Sequence, residues 1–424
     1  MKLLISALII LFLVSIFFFL QKDEPLLPEV KEWLSDNTET PQTKDNAYVY
    51  LMGLASNENI DPFEYGLRKI EYYKNNSLGK PINKNTSENE LEIPTSTLLC
   101  DKREKTCIET ILNNTNKILP LLENNKEILN RYKTFSKLSE YKTLSKPNLE
   151  EIIPSYSPLG TGLKLLHLQV IQSALDHNYS QSIATIENNI LELRKFLKIA
   201  DNLIFKMILT AFITQDLELL SQLFSNGVIP KNAYISETGF LDDLNIKERS
   251  LHLSMRHELA IMVDTVNNLD KHPEVFEEGG SAPAWVVRLL IKPNKSINSM
   301  HVNHKYIAET SELLPSQLEA NLRIYADGFN INLTNLVGQI LVDIAEPNFD
   351  EYIGRVHDIQ CKTRLIKLKI QDPINFEKNA LKMKENSNFS NPYYGTTPYK
   401  DEVNNLICFN GPFEDTRNSR CTAI

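Results

Sequence analysis

Apolar residues are distributed very unevenly along this chain. Leu3 to Leu20 form an unbroken apolar run whose only polar members are Ser6 and Ser15. Wound as a helix at 1.5 Å per residue, such a run rises roughly 27 Å, close to the ~30 Å hydrocarbon core of a bilayer. Residues 1–21 are therefore expected to form a transmembrane signal anchor. The alternative is a cleaved signal peptide, which would have a shorter apolar stretch and small residues at the cut site. Phe17, Phe18, Phe19, Leu20, Gln21, Lys22 and Asp23 offer no small-x-small site. No later segment approaches such a run, so the remainder is expected to fold in water.

Residues 22–45 are polar, carry Pro25, Pro28 and Pro41, and include a short Val30 to Leu34 patch that can pack; they read as a tether. Asn46 to Ala55 is the first apolar cluster of a body spanning 46–390. Asp61, Pro62 and Glu64 match an N-cap, a first-turn proline and a capping-box acid, and predict a helix to about Asn75. Ser77 to Thr97 is polar and reads as a loop. From Lys105 to Tyr141 helical periodicity returns through Ile108, Ile111, Leu112, Ile118, Leu121, Leu122, Ile128, Leu129 and Tyr132, with Pro120 expected to kink or divide it.

Pro147, Pro154 and Pro158 mark the next connection. Three helices are expected over 162–176, 180–200 and 203–225, and their short connections make neighbours antiparallel. Further helical patterns cover 246–269, 297–314, 317–325, 333–344 and 352–370, with a loop at 277–283. The tail, 391–424, changes character: Pro392, Tyr393, Tyr394, Gly395, Pro398 and Tyr399 precede Leu406, Ile407, Cys408 and Phe409, consistent with a small β-hairpin. The fold class is thus all-α. Antiparallel helix pairs form an irregular bundle or short solenoid, with one N-terminal transmembrane helix and a small C-terminal tail of β character.

Composition adds two constraints. The scarcity of glycine, 14 residues, disfavours a fold rich in tight β-turns or glycine-lined phosphate loops. The 45 basic and 54 acidic residues give a net charge of −9, which repels a phosphate backbone and makes nucleic acid an unsuitable partner. Five cysteines occur. Cys100 with Cys107, and Cys408 with Cys421, bracket short polar segments that a disulfide can close in an oxidising compartment, leaving Cys361 as a small hydrophobe. A reduced state and other pairings stay open. Their spacings match neither a zinc ribbon nor a thioredoxin-type motif.

Two resemblances follow. Ile171 to Leu197, with Ala174, Asn178, Tyr179, Ala184 and Leu191, looks like part of a tetratricopeptide unit, but a 34-residue period does not recur, so the likeness implies helix-pair packing alone. NAYVYLMGL from Asn46, the Cys100/Cys107 loop, SYSPL from Ser155, NLVGQIL from Asn335, RLIKLKI from Arg364 and NPYYGTTP from Asn391 are spread over most of the chain. Together they resemble an uncharacterised group of proteobacterial, signal-anchored helical proteins. That resemblance implies an envelope location and no activity.

Candidate chemistry is sparse. His301 and His304 stand at i and i+3 without the acid of an HExxH-type site, and surface or capping histidines are the plainer account. His257 and Glu258 begin that motif, but Ile261 occupies its closing position. Gly160 and Gly162 precede Leu165 where a phosphate loop has its third glycine; a helix start accounts for them better. Ser281 in GGSAP has no nucleophile-elbow setting. Asp242 with Asp243, and Glu277 with Glu278, read as solvated charges. Tyr393, Tyr394, Tyr399 and Phe409 can stack on a peptide or sugar, although packing of the tail onto the body is the commoner role.

No catalytic residue, cofactor or metal is therefore expected. The chain reads as a single-pass membrane protein of the bacterial inner membrane, held by residues 1–20, with a periplasmic body acting as a helical scaffold or partner-binding module. An envelope hydrolase using carboxylates gathered by the fold, or a lipid or small-ligand carrier, are the alternatives.

Overall fold

The computed structural model describes residues 22–35, 44–74, 90–104, 106–231, 239–269, 291–322 and 349–424, with positions 5, 12, 233, 335 and 338 in isolation. The expected anchor, most of the 77–97 loop, the 277–283 loop with Ser281, Glu277 and Glu278, and the expected helix at 333–344 lie outside the described residues. Among the described residues no helix is long and apolar enough to cross a membrane.

The body is mostly helical, as the periodicity requires. It opens with α1 (Pro28–Ser35), α2 (Ala47–Gly53) and α3 (Pro62–Lys74). Asn46 caps α2, its Oδ1 accepting from Tyr48 N at 3.0 Å, and Asp61 caps α3 by accepting from Glu64 N at 3.0 Å. These two helices cross with their backbones almost touching. A Cβ on Gly53 would overlap the Pro62 carbonyl oxygen, and one on Gly66 the Val49 carbonyl oxygen. Glycine is required there by close approach.

The segment expected as one proline-broken helix is divided elsewhere. It forms α4 (Cys107–Leu112), a single 3₁₀ turn at Thr115–Lys117, α5 (Ile118–Asn124) and α6 (Lys126–Ser136). The breaks fall at asparagines: the Asn114 and Asn125 amides each donate to a carbonyl four residues back, at 2.9 and 2.8 Å. Pro120 instead lies in the first turn of α5, where its missing N–H has no intrahelical acceptor to lose.

The centre is built from α7 (Ser157–Leu175), α8 (Tyr179–Leu197) and α9 (Leu203–Ser225). Helix α7 begins five residues before the expected start, with Pro158 in its first turn rather than in the preceding connection. Helix α9 packs against α7 and α8 and is buried around nearly its whole circumference. A helix in that position should be apolar all round, yet it carries Lys206, Asp216, Glu218 and Gln222, each at most 6% exposed.

The 246–269 segment is split into α10 (Ile246–Arg249) and α11 (His252–Asn268), because Ser250 is extended. The groups this break frees are taken up by partners: Lys206 Nζ donates to Ser250 O at 2.9 Å, and Leu251 N donates to Ser311 Oγ at 2.8 Å. Then come α12 (Pro293–Glu312), α13 (Pro315–Asn321), α14 (Asp350–Gln371) and α15 (Phe376–Lys382).

The tail is β, with one strand more than the expected hairpin. Strands β1 (Tyr399–Asp401), β2 (Leu406–Cys408) and β3 (Cys421–Ala423) pair antiparallel in chain order, with Cys408 opposite Cys421. Strand β3 lies against both α9 and α14. Tyr393 and Phe409 are buried in the main core, so the tail aromatics mostly pack, while Tyr399 stays exposed.

The 22–45 segment is no free tether in its described first part, residues 22–35. Val30 is fully buried with Leu259, Val266, Ile297 and Met300 in a small second core that also receives Leu26, Trp33 and Leu34. Asp23 accepts from Asn294 N at 2.8 Å and Lys295 N at 3.2 Å, capping the first turn of α12, and Leu27 N donates to Asn298 Oδ1 at 3.1 Å. Arg256 donates to the Trp33 carbonyl at 2.8 Å. The physical reason is the Val30 to Leu34 patch: three apolar side chains on one short helix find an apolar groove between α11 and α12.

Candidate functional site

The two cysteine pairs expected from spacing are both closed, Cys100 to Cys107 and Cys408 to Cys421, and Cys361 is a buried free thiol whose pKa burial pushes well above the usual value. The bridges are far apart in sequence but share one feature. Both stapled segments border a cleft of about 290 Å³ between α4, α9, α14 and the tail sheet. Arg103, inside the first bridged loop, lines one side, and Cys421 with Ala423 and Ile424 line another.

At the base of this cleft Lys362 Nζ and Glu218 Oε2 are 2.6 Å apart, both largely buried. Lys362 also donates to Cys421 O at 2.9 Å. Seven residues on, two turns along the same face of α14, Lys369 donates to Ser221 Oγ at 3.0 Å and Ala423 O at 2.7 Å. Two buried lysines thus hold β3 through its carbonyl oxygens. Burial lowers the Lys369 ammonium to about 8, with Glu218 opposing the fall and Lys362 adding to it.

Gln222 fixes the other wall. Its Nε2 donates to Lys102 O at 2.7 Å and to Glu218 Oε1 at 3.0 Å, tying the first stapled loop to α9. Both donors being used, the amide orientation is set, and Oε1 is left buried with no partner. Above it the rim carries exposed Asn226, Asn404, Asn405 and Asn418, with Glu109, Ile108 and Leu406. Arg103 is engaged with Asp101 through Nε at 2.9 Å and Nη2 at 2.5 Å. Lys362 and Arg103 are thus each paired with a carboxylate, Glu109 stands exposed on the rim, and what the site offers a visitor is amide hydrogen bonding, one carboxylate and a modest apolar surface.

Other candidates resolve into structural roles. His167 Nε2 and Asp216 Oδ1 are 2.7 Å apart in the core; Asn189 donates to Asp216 Oδ2 at 2.7 Å and Tyr132 to Asn189 Oδ1 at 3.0 Å. Burial raises the Asp216 carboxyl and lowers the His167 imidazole, and the hydrogen bond between them opposes both shifts. His257 Nε2 lies 2.7 Å from Glu151 Oε2, while Ser145 donates to Glu151 Oε1 at 2.7 Å and Tyr48 to Ser145 Oγ at 3.0 Å. This chain underlies a hollow of about 640 Å³ lined by Tyr73, Lys146 and Glu151. The carboxylate stands between serine and histidine, so the imidazole does not contact the hydroxyl as it does in a serine–histidine pair.

His301 and His304 are both buried: Trp33 meets His301 edge-on, and His304 Nδ1 lies 2.8 Å from Met300 O. Their Nε2 atoms have no partner, yet among the described residues no group of three or more metal-ligating side chains exists. Gly160 and Gly162 lie inside α7, with Gly162 against the Tyr132 ring. Asp242 pairs with Lys367 at 3.2 Å and Asp243 with Arg364 at 2.6 Å, so these acids tie the 239–245 loop to α14. Two further carboxyl groups raised toward neutrality, Glu258 and Asp358, both about 6, lie on different helices, and Asp358 is bonded to Tyr393 at 2.8 Å and Arg420 at 3.1 Å.

Sequence reading located the cysteines that frame the cleft but none of Arg103, Glu218, Gln222 or Lys362 inside it. Polar residues within the most apolar helix, TQDLELLSQ from Thr214, were the available signal. Comparison with family models, curated proteins and solved structures finds no match to this chain. Its class is defined by its own architecture: an all-α body closed by a disulfide-stapled three-stranded tail.

Proposed function

We propose that the protein is an envelope binding module, anchored by residues 1–21, whose exported body receives a polar peptide segment of a partner protein in the cleft between its stapled segments. The observation that carries this reading is the cleft itself: two closed bridges at its edges, self-neutralised charges at its base, and the unpaired Gln222 Oε1 below an asparagine-lined rim. Main-chain amides are the natural complement of such a surface, since they supply an N–H for the buried acceptor and need no charge partner. Disulfides of this kind persist outside the reducing cytosol, which supports export of the body, as does the resemblance to signal-anchored envelope proteins.

The test is site-specific photo-crosslinking in intact membranes. A crosslinker at Asn226 or Asn404 is expected to trap one discrete protein, and the same group at Lys198, remote from the cleft, is expected to trap none. Uncrosslinked monomer from both cleft positions would reject the reading. Blocking the free thiols with a membrane-impermeant maleimide, after reduction in intact cells, should label the stapled cysteines if the body is exported.

A further inference from the structure

We propose that the Cys100–Cys107 bridge is a thiol–disulfide exchange site, in which Cys100 is the sulfur attacked and Cys107 the sulfur that leaves, stabilised by the Lys102 ammonium. The proposal goes beyond the binding reading and does not rest on it. Its basis is the placement of a fully buried lysine inside the closed loop: Lys102 Nζ donates to Cys107 Sγ at 3.4 Å and to Cys100 O at 3.2 Å. Among the described residues no ion pair includes Lys102. A buried ammonium without a carboxylate is costly, and here its contacts are a sulfur and a carbonyl. The other bridge differs: the nearby Lys362 reaches the Cys421 carbonyl, and among the described residues no cation donates to either of its sulfurs.

The two cysteines are inequivalent in exposure as well. Cys107 is 1% exposed, whereas Cys100 is half-buried. An external thiolate reaching Cys100 forms a new S–S bond there; the Cys100–Cys107 bond breaks, and its electron pair departs on Cys107 as a thiolate beside the ammonium. A second thiol then attacks the mixed disulfide, releasing Cys100 as a thiol and the external pair as a disulfide. Two thiols are oxidised and one protein disulfide is reduced. A leaving thiol of lowered pKa departs faster, and a neighbouring lysine lowers it. With the bridge closed, burial lowers Lys102 to about 7, helped by Lys164 and opposed by Asp101 and Glu104. A thiolate beside it would favour the charged form again.

The experiment exposes the native full chain briefly to reduced glutathione, quenches with maleimide and locates both labels by mass spectrometry. Glutathione is expected on Cys100 and maleimide on Cys107, with the Cys408–Cys421 bridge opening about tenfold more slowly or less. Lys102→Met is expected to slow the first bridge by about tenfold, and Lys102→Arg to retain most of the rate. Glutathione on Cys107, or an unchanged rate in the folded Lys102→Met protein, overturns the proposal. If that variant does not fold, the position of the label in the unmodified protein still decides.

Discussion

Glu258 is one residue from His257 on α11, partly buried, and burial raises its carboxyl to about 6 despite the opposing charge of His257, with Glu151 adding to the rise. Because the folded state holds this proton more tightly than the unfolded chain does, this group's contribution to stability is full below pH 4.5 and is lost as pH climbs through 6. At 1.36 kcal/mol per pH unit the decline is about 2 kcal/mol. His257 acts in the same sense: burial lowers its imidazole, the hydrogen bond and charge of Glu151 outweigh that, and the net rise gives stability that is lost as pH passes the raised value. Glu258→Gln should flatten the lower part of this slope in urea titrations; an unchanged slope would assign the decline to other groups. At the cleft, Glu218→Gln leaves the Lys362 ammonium without its counter-charge and is expected to cost about 3 kcal/mol in the same measurement. These residues were not legible in advance, since nothing local in the sequence distinguishes a buried Glu or Lys from a solvated one. The cysteines were, because a short polar loop between two of them has few other ways to fold.

At the scale of elements, the apolar period located most described helices but not α1, α2 or α15, and α9 was read to its ends because Asn202 supplies a cap whose Oδ1 accepts from Phe205 N at 3.2 Å. Reading failed at Ser250, where tertiary partners replace the helix's own bonds, and at the asparagine breaks after α4 and α5, where a side-chain amide takes up a carbonyl one turn back. Composition misled more in the N-terminal segment: prolines and charges suggested a linker, while one buried valine decided its fate. Val30→Asp places an unpaired carboxylate among Leu259, Val266, Ile297 and Met300 and should detach α1 from the body. Limited proteolysis is expected to cut such a variant within residues 22–45 while leaving 46–424 resistant. Loss of resistance throughout would mean that this segment and the body fold as one cooperative unit.

For the whole molecule, the sequence disclosed class and stapling but not the cleft, because that site joins residues from four separate stretches between Arg103 and Ile424. Only long-range packing brings them together. The docked N-terminal segment carries a kinetic consequence of the same kind. Leu27 bonds to Asn298 across 271 residues. At a synthesis rate of about 5–20 residues per second, the stretch that follows the apolar run Leu3 to Leu20 must wait roughly 15–50 s before its partner helix exists. During that interval Val30 and Trp33 have no groove to enter, and any factor that shields a nascent chain would find its first work there.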